Sequence, residues 1–338
     1  MLVSRTQTLH DVAKIAQVSP STVSRILNGT AVVSPEKRKQ VEHAIATLDY
    51  RPNMMAQALA KGRSMTVGVV TQAISSPFYA ETLEGVEQGF ADSLYHPMFI
   101  SGHWRQEKEL EAINILTARR VDALIILGGN LEDAYLKQLA KQIPVVPVGR
   151  LVVGLEAQSV RINQFNGAIS GMQHLIDLGH RCIAHIAGPT THRDSTGRLE
   201  GYQQMLAANG IAFDPSLVVT GNYQEHSGLL AMEQLLLRDT SITAVFSAND
   251  QMALGARLCL YRRGIRVPDD ISIVGFDDLF SSSYATPPLT TVRQPGQEMG
   301  VAAALMVLSL LNGRPLPDPI FTPHLVVRES TTRLRHSQ

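Results

Sequence analysis

Two cysteines among 338 residues are too few to staple a fold. Cys182 lies in an apolar strand-like run and Cys259 in a helical one, so both are expected to be buried small hydrophobes in a reducing, cytoplasmic setting. No apolar run approaches the roughly 18 residues needed to cross a bilayer. The opening Met1-Leu2-Val3-Ser4-Arg5 lacks the apolar core of a secretory signal. A soluble intracellular chain with no membrane partner is therefore expected. Also absent are a glycine-rich phosphate loop with its Lys, a His-Glu-x-x-His pair and a Gly-x-Ser-x-Gly elbow. Their absence removes the nucleotide-driven, zinc-dependent and serine-hydrolase chemistries that these motifs serve. No catalytic residue, metal ligand or cofactor is expected.

Net charge is absent only as a total, because 30 Lys and Arg balance 30 Asp and Glu. Residues 1–63 hold nine basic against four acidic side chains, a net +5, while the other 275 hold 21 against 26, a net −5. A basic head on a neutral-to-acidic body is the distribution expected of a nucleic-acid binder. The length calls for two or three domains.

What is present begins at residues 8–28, where two short amphipathic helices flank a tight turn. Leu9, Val12, Ala13 and Ala16 recur at the spacing of one helical face. Thr8 and Asp11 form a capping-box pattern at its start. Ser19 is placed to cap a second helix with Pro20 in its first position, Val23, Ile26 and Leu27 face inward, and Gly29 can end it. Ser21, Ser24, Arg25 and Asn28 line the opposite face, which carries no acid. A helix that meets phosphates and base edges needs donors without acidic repulsion, so this pair reads as a DNA-binding helix-turn-helix. A third helix follows, with Ser34 as its cap and Val41, Ala44, Ile45 and Leu48 as its stripe. The expected headpiece is 1–52, and 53–64 is expected to form a short helix and linker too small to be stable alone.

From residue 65 the pattern changes to β-branched runs alternating with helices, the signature of βαβ units and parallel sheets. Strands are expected at 66–71, 97–100, 123–127 and 144–148, then at 160–163, 182–187, 217–220, 244–247 and 271–276. Expected helices include 166–178, 198–209 and 251–263. The fold class is α/β: a three-helix headpiece and a two-lobed core of parallel sheets flanked by helices. The lobes are placed at 65–159 and 160–290, with the C-terminal segment crossing back. Ligands bind beyond the carboxyl ends of parallel strands, so the cleft between lobes is the expected pocket.

The chain resembles the lactose-repressor and galactose-repressor family of bacterial transcription regulators. The resemblance rests on Asp11-Val12-Ala13, Thr22-Val23-Ser24-Arg25, Leu48-Asp49-Tyr50-Arg51-Pro52-Asn53, Ala56-Gln57-Ala58-Leu59, Asn249-Asp250-Gln251-Met252-Ala253-Leu254-Gly255-Ala256, Ile273-Val274-Gly275-Phe276-Asp277-Asp278 and Pro288-Leu289-Thr290-Thr291-Val292. It implies a core like that of periplasmic sugar-binding proteins, a homodimer, a pseudo-palindromic double-stranded operator and a small-molecule effector, most often a sugar, here a mono- or disaccharide. It implies that Thr22, Ser24, Arg25 and Asn28 meet the major groove or its phosphates, with Pro20 and Ser21 at the base-reading start of the helix. Thr8, Ser34, Asn53 and Ala56 belong to the same DNA-contacting set, and Leu59 matches a hinge leucine that wedges into a central base step from the minor groove.

For the effector, the resemblance implies contacts from Asp277, Asn249, Arg150 and Arg198, the last opening a helix after a loop at 188–197. Phe78, Tyr79 and Tyr223 match aromatic walls, with Asp194 and Gln294 as further candidates. His180 and His185 are expected to be structural. Gln17 departs from the usual turn glycine and Asn163 from a common Asp. A purine- or nucleoside-responsive regulator, a periplasmic sugar-binding protein and an α/β enzyme are the competing readings. The tail after Arg328 lacks sustained heptads, so a dimer is expected rather than a tetramer.

Overall fold

The computed structural model describes residues 7–27, 33–50, 62–239 and 241–334. The chain divides into two compact units, Met1–Ser64 and Met65–Gln338. In the first, α1 (Leu9–Ile15), α2 (Pro20–Leu27) and α3 (Pro35–Leu48) bury Val12, Ala13, Ala16, Val23, Ile26, Val41 and Ala44 together. Tyr50 joins this core from beyond α3, where helical periodicity gives no signal. The caps form as their residue types dictate. Asp11 N–H donates to Thr8 Oγ1 at 3.3 Å while Thr8 N–H donates to the Asp11 carboxylate at 2.8 Å. Ser19 and Ser34 accept from Thr22 and Lys37 N–H in the same way. Gln17 adopts a φ of 52°, so the turn keeps a left-handed residue at a cost of about 1 kcal/mol without a glycine. Asn28, Gly29, Asn53, Ala56 and Leu59, and the expected 53–61 stretch of hinge, lie outside the described residues.

The second unit opens with β1 (Thr66–Thr71), α4 (Pro77–Phe90), β2 (His96–Ser101), α5 (Gln106–Ala118), β3 (Ala123–Leu127), α6 (Asp133–Leu139) and β4 (Val145–Val148). These strands make a parallel sheet in the order β2-β1-β3-β4. Alternation is strict in β3: Ala123, Ile125 and Leu127 enter one cluster, Leu124 and Ile126 the other, because strand side chains alternate faces. The chain leaves this lobe through β5 (Arg161–Ile162) and α7 (Gln164–Asp177). It builds the second lobe from β6 (Ile183–Ala187), α8 (Arg193–Ala208), β7 (Val218–Thr220), α9 (Glu225–Arg238), β8 (Ala244–Ser247), α10 (Asp250–Arg262), β9 (Ser272–Asp277), α11 (Phe280–Ser283) and β10 (Thr290–Arg293). After α12 (Gly296–Asn312) come β11 (Ile320–Phe321) and β12 (His324–Val326). The second sheet runs β12-β10-β9-β8-β6-β7, parallel except for β12.

Two departures from the sequence expectation bear on the cleft. First, α8 begins at Arg193, not at Arg198, so Arg198 lies in its second turn and points from the body of the helix. Second, residues 160–163 do not add a strand to a lobe sheet: β5 pairs with β11 where two chain segments cross between lobes, and Val160 only bridges to Val148. The two halves are not closed in sequence. α12 returns to the first lobe and packs against α4, so closely at Gly85 that a Cβ there would land on the Gln297 carbonyl. β10 and β12 stay in the second sheet, so the crossings fall at 161–164, 293–296 and 321–324. Leu217 belongs to a short 3-10 turn, Pro215–Leu217, ahead of β7.

Candidate functional site

A cavity of about 150 Å³ lies between the lobes at the carboxyl ends of β1, β3, β4, β6, β8 and β9. All nine candidate effector residues line it: Phe78, Tyr79, Arg150, Asp194, Arg198, Tyr223, Asn249, Asp277 and Gln294.

Arg198 is its centre. The side chain is 3% exposed, its Nε donates to Gln164 Oε1 at 3.0 Å, and Nη1 donates to the Ala248 carbonyl. Its guanidinium lies 3.9 Å from the Phe276 ring centroid, a desolvated cation–π contact. Asp277 and Asp194 each approach Nη2 to 3.9 Å, beyond hydrogen-bond length, so both carboxyls keep acceptor capacity that a ligand hydroxyl can use. Gln164 Nε2 donates to Gln294 Oε1 at 2.7 Å, and Gln294 Nε2 donates to Asp277 Oδ1 at 2.6 Å. The two glutamines stand on adjacent interlobe crossings, so this ring of polar groups ties the crossings to the cavity floor. Burial pushes the Asp277 carboxyl up to about 8, against the pull of Arg198 and with a push from Asp250. At neutral pH that group is a protonated acid, able both to donate and to accept.

Asn249 caps α10, accepting from Met252 N–H at 2.9 Å, and its amide donates to the Tyr223 carbonyl at 3.0 Å. It thereby holds Tyr223 at a φ of 69°, a strained value for a non-glycine residue. Asp277 itself sits at 119°. Arg150 is differently employed. Its Nη1 and Nη2 donate to the carbonyls of Gly129 and Leu131 at 3.0 and 2.8 Å, and Nη2 pairs with Asp133 at 2.8 Å.

Gln164 and Trp104 both line the cavity and both escaped the sequence reading. Trp104, the one tryptophan of the chain, follows the end of β2. Its backbone is clamped by Gln72, which accepts from its N–H at 2.9 Å, and by Asn130, which donates to its carbonyl at 2.9 Å. Its ring stacks on His192 of the other lobe, with centroids 3.7 Å apart and planes 17° apart. His192 stacks in turn on Tyr223, and Tyr79 meets Trp104 edge-on. Gly128 makes room for this wall, because a Cβ there would meet Tyr79 Oη at 2.9 Å and Trp104 at 3.3 Å. The strand-end position of Trp104 was the available signal. Burial pushes the Tyr79 and Tyr223 phenols well up, so both remain protonated donors. His180 and His185 bond within the second lobe, His180 to Thr243 and the Thr332 carbonyl and His185 to the Phe246 carbonyl. Asn163 caps α7 by accepting from Asn166 N–H.

In the headpiece, Ser21 and Arg25 are exposed on α2, with Pro20, Thr22 and Ser24 half-buried, and the helix contains no acid. Ser19 hydroxyl bonds to those of Ser21 and Thr22, both at 2.8 Å, fix the first turn. Arg25 Nε donates to the Ser21 carbonyl at 3.4 Å. Thr8 and Ser34 are exposed caps of α1 and α3. Among the described residues no cluster of His, Cys, Asp and Glu is placed to hold a metal ion, and no helix is long and apolar enough to cross a membrane.

Residues 8–53 match the family model described as bacterial regulatory proteins, lacI family, and residues 172–331 match a periplasmic binding protein-like domain. The chain is 38% identical over 96% of both lengths to the HTH-type transcriptional regulator GalR of Escherichia coli (strain K12). The lac repressor dimer bound to operator and the anti-inducer ONPF superposes with a TM-score of 0.86 at 32% identity, covering 97% of this chain and 100% of that one. The complex of transcriptional regulator CelR with cellobiose gives a TM-score of 0.71 at 34% identity, over 96% and 99%.

Proposed function

Because the chain belongs to the lacI family of bacterial regulatory proteins, we propose that α2 reads double-stranded operator DNA and that a sugar in the 65–338 cavity sets the strength of that reading. The observation that carries the effector half is the ring of Arg198, Gln164, Gln294 and Asp277 beside an aromatic wall. A sugar presents hydroxyls around its edge and C–H bonds on its face, and this cavity offers hydrogen-bond partners for the first and Phe78, Tyr79 and Tyr223 for the second. Asn249 holds one wall and Asp194 adds an acceptor. A sugar suits this arrangement without turnover.

For the DNA half, Pro20 and Ser21 begin the reading helix, Thr22, Ser24 and Arg25 continue it, Thr8 and Ser34 stand at phosphates, and Asn28 belongs to the same set of DNA contacts. Asn53, Ala56 and Leu59 supply the hinge contacts. Tyr261, Phe280 and Tyr284 are 80%, 75% and 73% exposed on the second lobe. A second copy of the chain covering them would make the homodimer that a pseudo-palindromic operator needs. The protein then works in the cytoplasm, where its operator is. Leu59→Ala is expected to weaken operator binding and reduce DNA bending while effector affinity holds; unchanged bending in a phased gel-shift assay would remove the wedge role. The reading as a whole is tested by a thermal-shift panel of sugars and nucleosides, followed by operator titration with and without the responding compound. A response to nucleosides alone overturns the sugar assignment.

A further inference from the structure

Resting on the sugar reading, we infer that the Trp104–His192 stack restricts the cavity to a single sugar ring. The volume is the first observation. About 150 Å³ is the size of an engineered cavity that holds one benzene, and about half or less of what drug-sized ligands occupy. The second is where the wall comes from. Trp104 lines the cavity from the first lobe and His192 holds the N-cap position of α8 in the second, so their contact bridges the cleft beside the cavity, and a ligand that extends past Trp104 on that side meets it. Its neighbour Arg193 crosses the same gap to Asp133 at 3.1 Å, which seals the rim beside the stack. The third is rigidity. Gln72 and Asn130 clamp the Trp104 backbone from both sides, and His192 N–H donates to the Pro189 carbonyl at 3.0 Å. A second ring therefore displaces a supported wall rather than a loose side chain. On the opposite side the cavity is closed by the crossings that carry Gln164 and Gln294.

The test is a thermal-shift panel with D-galactose, D-glucose, D-fructose and D-ribose against lactose, cellobiose, maltose and sucrose. It is run on the full chain and on the Trp104→Ala, Trp104→Phe and His192→Ala variants. The unaltered protein is expected to gain about 5 °C from a saturating single-ring sugar and nothing from the disaccharides. Trp104→Ala is expected to admit a disaccharide built on that ring, and Trp104→Phe to keep it out. His192→Ala opens the same wall and serves if Trp104→Ala does not fold. Equal shifts by a disaccharide and its monosaccharide in the unaltered protein overturn the inference alone, as does exclusion that survives both alanine variants. No shift with any sugar overturns the sugar reading and the ring limit with it.

Discussion

The two lobes share an architecture but bring different chemistry to the cleft. The first presents rings, Phe78, Tyr79 and Trp104, and its cavity-lining arginine, Arg150, is committed to Gly129, Leu131 and Asp133. The second presents Asn249 and, around Arg198, the carboxyls of Asp194 and Asp277, whose spacing from the guanidinium leaves bonding capacity over. Similar folds thus supply a lid on one side and a recognising floor on the other. The lobes differ because parallel strands fix only where side chains emerge, not which side chains they are.

The sharpest way to break this contrast is to treat the two arginines alike. Arg198→Ala leaves the Ala248 carbonyl and Gln164 Oε1 without their donor and Asp194 without its countercharge. A loss of about 3 kcal/mol in urea unfolding is expected, together with loss of any sugar-dependent thermal shift. Arg150→Ala is expected to lose about 1–2 kcal/mol and to retain a sugar response. Equal loss of the response in both variants would erase the division between lid and floor. Next in size is a pH effect confined to the floor. The Asp277 carboxyl stays protonated in the fold up to about 8 but ionises near 3.9 in the unfolded chain. The folded state therefore binds more protons between those values, so stability falls as pH rises. About 2 kcal/mol should be lost between about pH 6 and pH 8. Denaturation across that window in Asp277→Asn is expected to show a flatter profile, and an unchanged slope would mean that the group is ionised in the fold. The smallest effect sharpens the picture at Asn249. Its change to Ala removes a helix cap, at about 1 kcal/mol, and frees Tyr223 from its left-handed geometry. Sugar affinity should drop more than stability does, as a calorimetric titration would reveal.

Legibility in the sequence followed the clarity of the local signal. The headpiece stripes and caps were readable because polar and apolar positions alternate at 3.6 residues, and Asp277, Asn249 and Arg150 were visible as polar residues ending or following apolar strands. Their roles came from family resemblance, since a polar strand end alone is as easily a loop cap, and Asn249 does cap α10. α12 gave no period because Gly296–Asn312 is apolar around most of its circumference, the mark of a buried helix. The start of α8 was misplaced because Arg193 to Gly197 includes Ser, Thr and Gly, which usually signal a loop. Trp104 was missed because its direction depends on two successive left-handed residues, His103 at 54° and Trp104 at 55°, a geometry side chains of this kind rarely adopt.

The three interlobe crossings have a mechanical consequence. A single linker lets two bodies swivel and twist freely, whereas strips fastened side by side bend about one axis and resist torsion. Here β5 is laced to β11, and the segments bearing Gln164 and Gln294 are fastened to each other. The core is thus a flexure with one soft coordinate, the opening angle. Under the proposed reading, a sugar seated against the glutamines would act at the pivot, where small displacements are geared into large ones at the tips.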